Sequence, residues 1–270
     1  MKRSAYLFFI LTLVLAIGLV SPAPPASAAD RQGPMYEEFD GVNLFYIPKD
    51  TTIYRELLPT VFDMPDQPLV HVFVTDYYQM RPGTLPPYRE VAVFLLCKYK
   101  GEPTWHCLTM PVTDDRARVG GIRNLGYPKV MADITFSRNA PIYSGTMKAD
   151  GKTILELTLD TKDHPVTTKE REWFDRLAGI PSLNFLQGKM IDPFPAARGS
   201  KMTMLGASEK YPETFKVLTG QATLVTHPEN APTASDWRPK AFAIPVGEIV
   251  LAYYSQNKYG FSFGPTKTVE

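Results

Sequence analysis

Three successive segments constrain this chain more than anything else in it: QPLVHVFVTDYYQ (67–79), REVAVFLLCKY (89–99) and TWHCLTMPV (104–112). Each is apolar at nearly every position, so as a strand it leaves no side for water. In the first, Leu69, His71, Phe73 and Thr75 share one face, while Val70, Val72 and Val74 share the other. A sheet made of such strands has to be covered on both sides.

Turn residues suggest how the strands pair. Lys100-Gly101 separates the second and third segments as a hairpin turn, and Asp150-Gly151 does the same within IYSGTMKADGKTILELTLD (142–160). Asp40-Gly41 in YEEFDGVNLFYI (36–47) carries the same signal and predicts a third hairpin. Helices are few. KDTTIYRELLP (49–59) predicts a short one, capped by Asp50 or Thr51 and stopped by Pro59. TDDRARVGGIRNLG (113–126) has acidic residues before basic ones, the order a helix dipole favours, and Pro128 ends it before VMADITF (130–136) resumes as strand. VTTKEREWFDRLAG (166–179) has a Thr167/Glu170 capping box and a terminal Gly179. More strand and one short helix are expected beyond residue 210. The expected fold class is α+β, mainly β: an antiparallel, closed or partly open β-barrel with a few flanking helices.

The chain opens MKRSAYLFFILTLVLAIGLVSPAPPASAAD, with Lys2 and Arg3, an apolar run from Tyr6 to Val20, and small residues ending in Ala26-Ser27-Ala28. That layout reads as a secretory signal peptide over residues 1–28, leaving 29–270 as one soluble domain that is secreted or periplasmic. The run is shorter than the roughly 20 apolar residues that cross a bilayer. No stable membrane span is therefore expected after cleavage.

Lys and Arg number 29 against 28 Asp and Glu, well mixed along the chain. No basic stripe marks a nucleic-acid surface, so the expected partner is a small molecule or another subunit. The two cysteines, Cys97 and Cys107, flank the Lys100-Gly101 turn. They read either as a cross-strand disulfide of an oxidising compartment or as two small buried apolar residues. The sequence has no Gly-x-Ser-x-Gly elbow, phosphate loop or dinucleotide fingerprint, and its four histidines show no metal-ligand spacing. No metal or cofactor is expected.

What remains is GGIRNLGYPKVMADITF (120–136), with Lys129 after a Gly-Tyr-Pro turn and ahead of a strand. GYPK followed by an extended segment resembles the signature of the acetoacetate decarboxylase family. The resemblance continues in family order through LLPTVFDMPDQPLVHVFV (57–74), YREVAVF (88–94) and IPVGEIVLAYY (244–254). It implies that Lys129 is a Schiff-base nucleophile and that Glu90, sharing a strand face with Ala92 and Phe94, is a general acid/base in the same pocket. Such a lysine attacks as the free amine, a form favoured by burial or by a nearby cation.

Two positions depart from the family pattern. Val130 stands where the family carries a second lysine, and the first hairpin lacks the arginine suited to a substrate carboxylate. Arg123 and Arg81 are the candidates left for substrate binding. The implied reaction is carbon–carbon cleavage of a small keto acid, by decarboxylation of an acetoacetate-like β-keto acid. The departures add weight to aldolase-dehydratase chemistry through the same lysine, and a secreted small-molecule-binding protein without turnover is the other reading. The resemblance also implies a homo-oligomer.

Overall fold

The computed structural model describes residues 35–177, 179–193, 215–258 and 267–269. The predicted signal segment 1–28 lies outside them. From the first half of the chain come β1 (Tyr36–Pro48), α1 (Thr52–Leu57), β2 (Val70–Met80), β3 (Tyr88–Tyr99), β4 (Glu102–Val112), α2 (Asp115–Leu125), β5 (Lys129–Met131) and β6 (Asp133–Asn139). The rest supplies β7 (Ile142–Ala149), β8 (Lys152–Asp160), α3 (Thr168–Leu177), β9 (Asn184–Leu186), β10 (Lys189–Asp192), β11 (Phe215–Thr219), β12 (Gln221–Thr226), β13 (Val246–Asn257) and β14 (Lys267–Thr268). Among the described residues beyond 210, two 3₁₀ turns, Pro228–Asn230 and Pro239–Phe242, stand in place of one late helix.

The protein is mainly β, as expected, but its strands do not close into a barrel. A seven-stranded sheet runs β11-β13-β1-β2-β3-β4-β5, a four-stranded sheet runs β12-β8-β7-β6, and β14-β10-β9 form a small third sheet. Closure requires the edge strands to pair. Here the chain crosses between the two larger sheets instead, from β5 to β6 through Ala132 and from β11 to β12 through Gly220. Val42, Leu44, Val72, Val74, Val91 and Val93 from the seven-stranded sheet meet Leu155, Leu157 and Leu159 from the four-stranded one in the main core. The opposite face of the large sheet packs Phe45, Leu69, Ala92, Phe94, Trp105 and Tyr253 against Phe174 and Leu177 of α3. This two-sided burial is what the apolar strand pattern demanded.

Lys100-Gly101 and Asp150-Gly151 make turns with positive φ, at 52° and 83° and at 50° and 75°. Asp40-Gly41 does not. Strand β1 runs straight through it, paired with β13 on one side and β2 on the other. The glycine is needed for close approach, because a Cβ there would lie 2.8 Å from Thr75 Oγ1. The aspartate is fully buried, accepting hydrogen bonds from Arg138 Nε and, at 2.8 Å, from the Tyr254 hydroxyl.

Of the two readings of Cys97 and Cys107, the disulfide is the one that falls, since both cysteines are free and buried. The tight turn sets the register so that Cys97 lies opposite Thr104 and Cys107 opposite Phe94. The two thiols therefore fall on opposite faces of the sheet, and burial holds both well above the ordinary thiol range.

Candidate active site

Lys129 is placed by the end of α2. Asp114 caps this helix, its side chain accepting from Ala117 N–H at 2.9 Å, and Gly126 terminates it in the left-handed region at φ 65°. Tyr127 N–H donates back to the Gly121 carbonyl at 3.2 Å, and Met110 N–H donates to the Pro128 carbonyl at 3.0 Å. Lys129 thus enters β5 beside Met110 of β4. Gly121 leaves room for the lysine stem, because a Cβ there would lie 2.5 Å from Lys129 Cδ.

The side chain is 5% exposed and pairs directly with the Glu90 carboxylate, also 5% exposed. Glu90 stands on β3 opposite Thr75 of β2 and Val112 of β4. Tyr88 lies two residues earlier, with its ring 5.6 Å from Lys129 Nζ and its hydroxyl 3.2 Å from that of Tyr36. Burial, reinforced by the Glu90 charge, raises the Tyr77 and Tyr88 phenols well above their ordinary value. Both stay neutral beside the ion pair, as does Tyr127, raised by burial and by Cys107 and Glu90.

The pair lies in the wall of a cavity of about 410 Å³. Rings line most of it, including Phe45, Phe73, Phe94, Trp105, Phe174 and Tyr253. His71 belongs to the same wall, its ring stacked on Phe45 at 4.1 Å between centroids. It shares a hydrogen bond of 3.1 Å with Asn43 Oδ1, and burial lowers its pKa to about 3, so it is a neutral polar group.

The structure thus brings Lys129 and Glu90 into contact, and it places the two arginines elsewhere. Arg123 is exposed on α2 and lines a second groove with Ile122, Phe185, Asp236 and Arg238, which shares Tyr127 and Lys129 with the aromatic cavity. Arg81 is half-buried, with its backbone N–H bonded to the Met35 carbonyl at 2.9 Å. Neither arginine is among the described residues that line the aromatic cavity.

Sequence reasoning missed the aromatic wall and Gly121. Alternation already put His71 and Phe73 on one face of β2, and Phe94 with Glu90 on one face of β3. Gly120-Gly121 inside a helix was a second signal, because each glycine costs roughly 1 kcal/mol there relative to alanine and so calls for a packing reason.

A family model described as acetoacetate decarboxylase matches residues 21–267. No significant sequence match is found among curated proteins. The fold is similar to that in structural studies of acetoacetate decarboxylase, with TM-score 0.64, 16% identity, and 88% of this chain and 89% of that one covered. It is similar to acetoacetate decarboxylase from Legionella pneumophila, with TM-score 0.63, 16% identity and 88% of each chain covered. It also resembles the enduracididine biosynthesis enzyme MppR, complexed with the condensation product of pyruvate and imidazole 4-carboxaldehyde. There the TM-score is 0.54 and the identity 16%, over 86% of this chain and 88% of that one. At such low identity these likenesses show a shared fold and nothing finer.

Proposed function

The chain belongs to the acetoacetate decarboxylase family, and from that premise we propose that it is a carbon–carbon lyase working through a Schiff base on Lys129, with Glu90 moving the protons. The observation that carries this reading is the contact between two buried, oppositely charged side chains in the wall of an aromatic cavity.

Transfer of a proton from Lys129 to Glu90 leaves an amine, which adds to a substrate ketone. Glu90 returns the proton to the carbinolamine hydroxyl, and loss of water gives an iminium. The iminium accepts the electron pair of the breaking carbon–carbon bond. Protonation of the resulting enamine and hydrolysis release the product and regenerate the amine. For a small β-keto acid, the substrate class that the family resemblance supports, the fragment lost is carbon dioxide.

A second reading is aldol cleavage or condensation through the same iminium. Val130 in place of a second lysine favours it, as does the absence of an arginine among the described residues of the cavity wall. The bound condensation product in MppR shows a protein of this fold holding such a compound.

Export of the chain through residues 1–28, a single mature domain over 29–270, and homo-oligomerisation belong to the same proposal. The export reading rests on the charged, apolar and small-residue order of the first 28 positions.

The test is to incubate mature protein with acetoacetate or pyruvate, reduce with borohydride, and weigh the peptide containing Lys129. A mass increase matching the reduced imine is expected. Folded protein that gives no adduct with any keto acid would reduce the site to a binding pocket.

A further inference from the structure

The geometry points to an uncharged substrate with a bulky apolar group, a β-hydroxy ketone cleaved by retro-aldol reaction, rather than a short keto-acid anion. This rests on Lys129 being the Schiff-base nucleophile.

Charge balance is the first reason. A neutral ketone on Lys129 becomes an iminium, and the Glu90 carboxylate beside it brings the cavity to zero net charge. A keto acid adds a second carboxylate. No guanidinium stands among the described lining residues to meet that charge, and His71 is neutral. An unpaired anion in an apolar cavity is strongly disfavoured.

Size is the second reason. At the ~30 Å³ that one water molecule occupies in the liquid, about 410 Å³ holds roughly fourteen non-hydrogen atoms. That is about twice the content of a four-carbon keto acid.

The wall gives the third. From Tyr127, two residues before Lys129, the rings run on without a break. Tyr127 meets Phe94 edge-on at 6.3 Å, Phe94 meets Phe73 and His71 at 5.9 Å, and Phe45 meets Tyr253 at 6.2 Å. Such a panel recognises an aryl or branched hydrocarbon group by area and ring geometry.

The reaction balances without any further reagent. Glu90 takes a proton from Lys129, the free amine adds to the ketone, and Glu90 returns that proton to the carbinolamine hydroxyl, so that loss of water leaves the iminium beside a Glu90 carboxylate. The Glu90 carboxylate takes the proton of the β-hydroxyl as the bond between the α and β carbons breaks, and that electron pair neutralises the iminium as an enamine. The hydroxyl carbon leaves as an aldehyde, or as a ketone where it carries no hydrogen. Glu90 then protonates the enamine carbon, and water releases the ketone and restores the amine.

The experiment compares four probes on the mature protein: 4-hydroxy-4-phenylbutan-2-one, 4-hydroxy-4-methylpentan-2-one, acetoacetate and 3-oxo-3-phenylpropanoate. Cleavage rate and borohydride-trapped mass on the Lys129 peptide are both read. The neutral phenyl compound is expected to have a kcat/KM roughly ten- to a hundredfold above that of the neutral methyl compound, the range supplied by burying one ring, and above that of both acids. Acetoacetate as the best substrate, or no gain from the ring, overturns the inference while leaving the Schiff base standing.

No adduct with any probe overturns the nucleophile. Substrate class is then decided by calorimetric binding of 4-phenylbutan-2-one against 4-oxopentanoate. A tenfold preference for the phenyl ketone upholds it, and equal or reversed affinity overturns it.

Discussion

Strands β1, β2 and β3 bury acidic residues on both faces, and the two faces use them differently. On the face toward the four-stranded sheet, Asp40 and Asp76 grip Arg138, with Arg138 donating to Asp76 at 2.7 Å. The Tyr254 hydroxyl donates to Asp40 at 2.8 Å, and Arg89 pairs with Asp76 at 3.3 Å. These oxygens are taken up by fixed partners that tie β1, β2, β6 and β13 together. On the other face, Glu90 meets Lys129 beside open volume and rings. Both sites are buried, so burial of charge does not by itself mark chemistry. What distinguishes them is the space left for a third party.

Two substitutions break the comparison most sharply. Lys129→Met should lower kcat/KM by at least ~10⁴-fold, the scale on which loss of a covalent nucleophile is felt. Asp40→Asn should instead lower unfolding free energy by roughly 3 kcal/mol, the low end for breaking a buried pair, because Arg138 is about a third exposed and can be partly solvated. Its folded fraction should keep kcat/KM within about threefold. Urea unfolding and steady-state kinetics on both variants decide this. Loss of activity in fully folded Asp40→Asn protein would mean that the two faces are one site.

A buried titratable group without a charged partner sharpens the contrast. His106 of β4 is 5% exposed, its Nδ1 donates to the Leu183 carbonyl at 3.1 Å, and burial lowers its pKa to about 4. The folded value lies below the unfolded ~6.5, so the unfolded chain binds the proton first as pH falls. Stability from this residue is complete above about pH 6.5 and declines by roughly 3 kcal/mol on approaching pH 4. His106→Asn keeps a donor for Leu183 and removes the titration. Its urea midpoint should therefore fall less than that of the parent between pH 6.5 and 4. An unchanged slope assigns the acid sensitivity to other groups.

Legibility followed the range of the interactions. Continuous apolar runs gave β2, β3 and β4, because burial on both sides is written residue by residue, and alternation gave the faces of β2 and β3. The Lys100-Gly101 turn and the Thr167/Glu170 capping box were readable for the same reason, the latter with Glu170 N–H on Thr167 Oγ1 at 3.2 Å. Asp40-Gly41 misled because a local turn preference was overridden by pairing with β13, more than 200 residues away in sequence. Cys97 and Cys107 left two readings open because a two-residue turn fixes which residues face each other, and these two do not. Barrel closure was unreadable, since it depends on whether β11 and β5 meet. Lys129 and Glu90 were found by resemblance. Their contact joins positions 39 residues apart, and no local pattern encodes it.

The smallest expected effect on stability probes how closely the reactive side is fitted. Gly120 and Gly121 are neighbours in α2, and as helix-interior glycines each should gain up to ~1 kcal/mol when replaced by alanine. A Cβ at Gly120 meets nothing within 4 Å, whereas one at Gly121 overlaps the Lys129 stem and lies 3.3 Å from Nζ. Gly120→Ala should therefore raise the melting temperature slightly and leave kcat/KM alone. At Gly121 the helix gain is offset by overpacking of about 1–3 kcal/mol, so stability should change little or fall modestly. The amine must shift to make way, and a displacement of about 1 Å can cost ~10²-fold in rate. Gly121→Ala that traps substrate on Lys129 as fast as Gly120→Ala would mean that the lysine reaches its position without this helix as a wall.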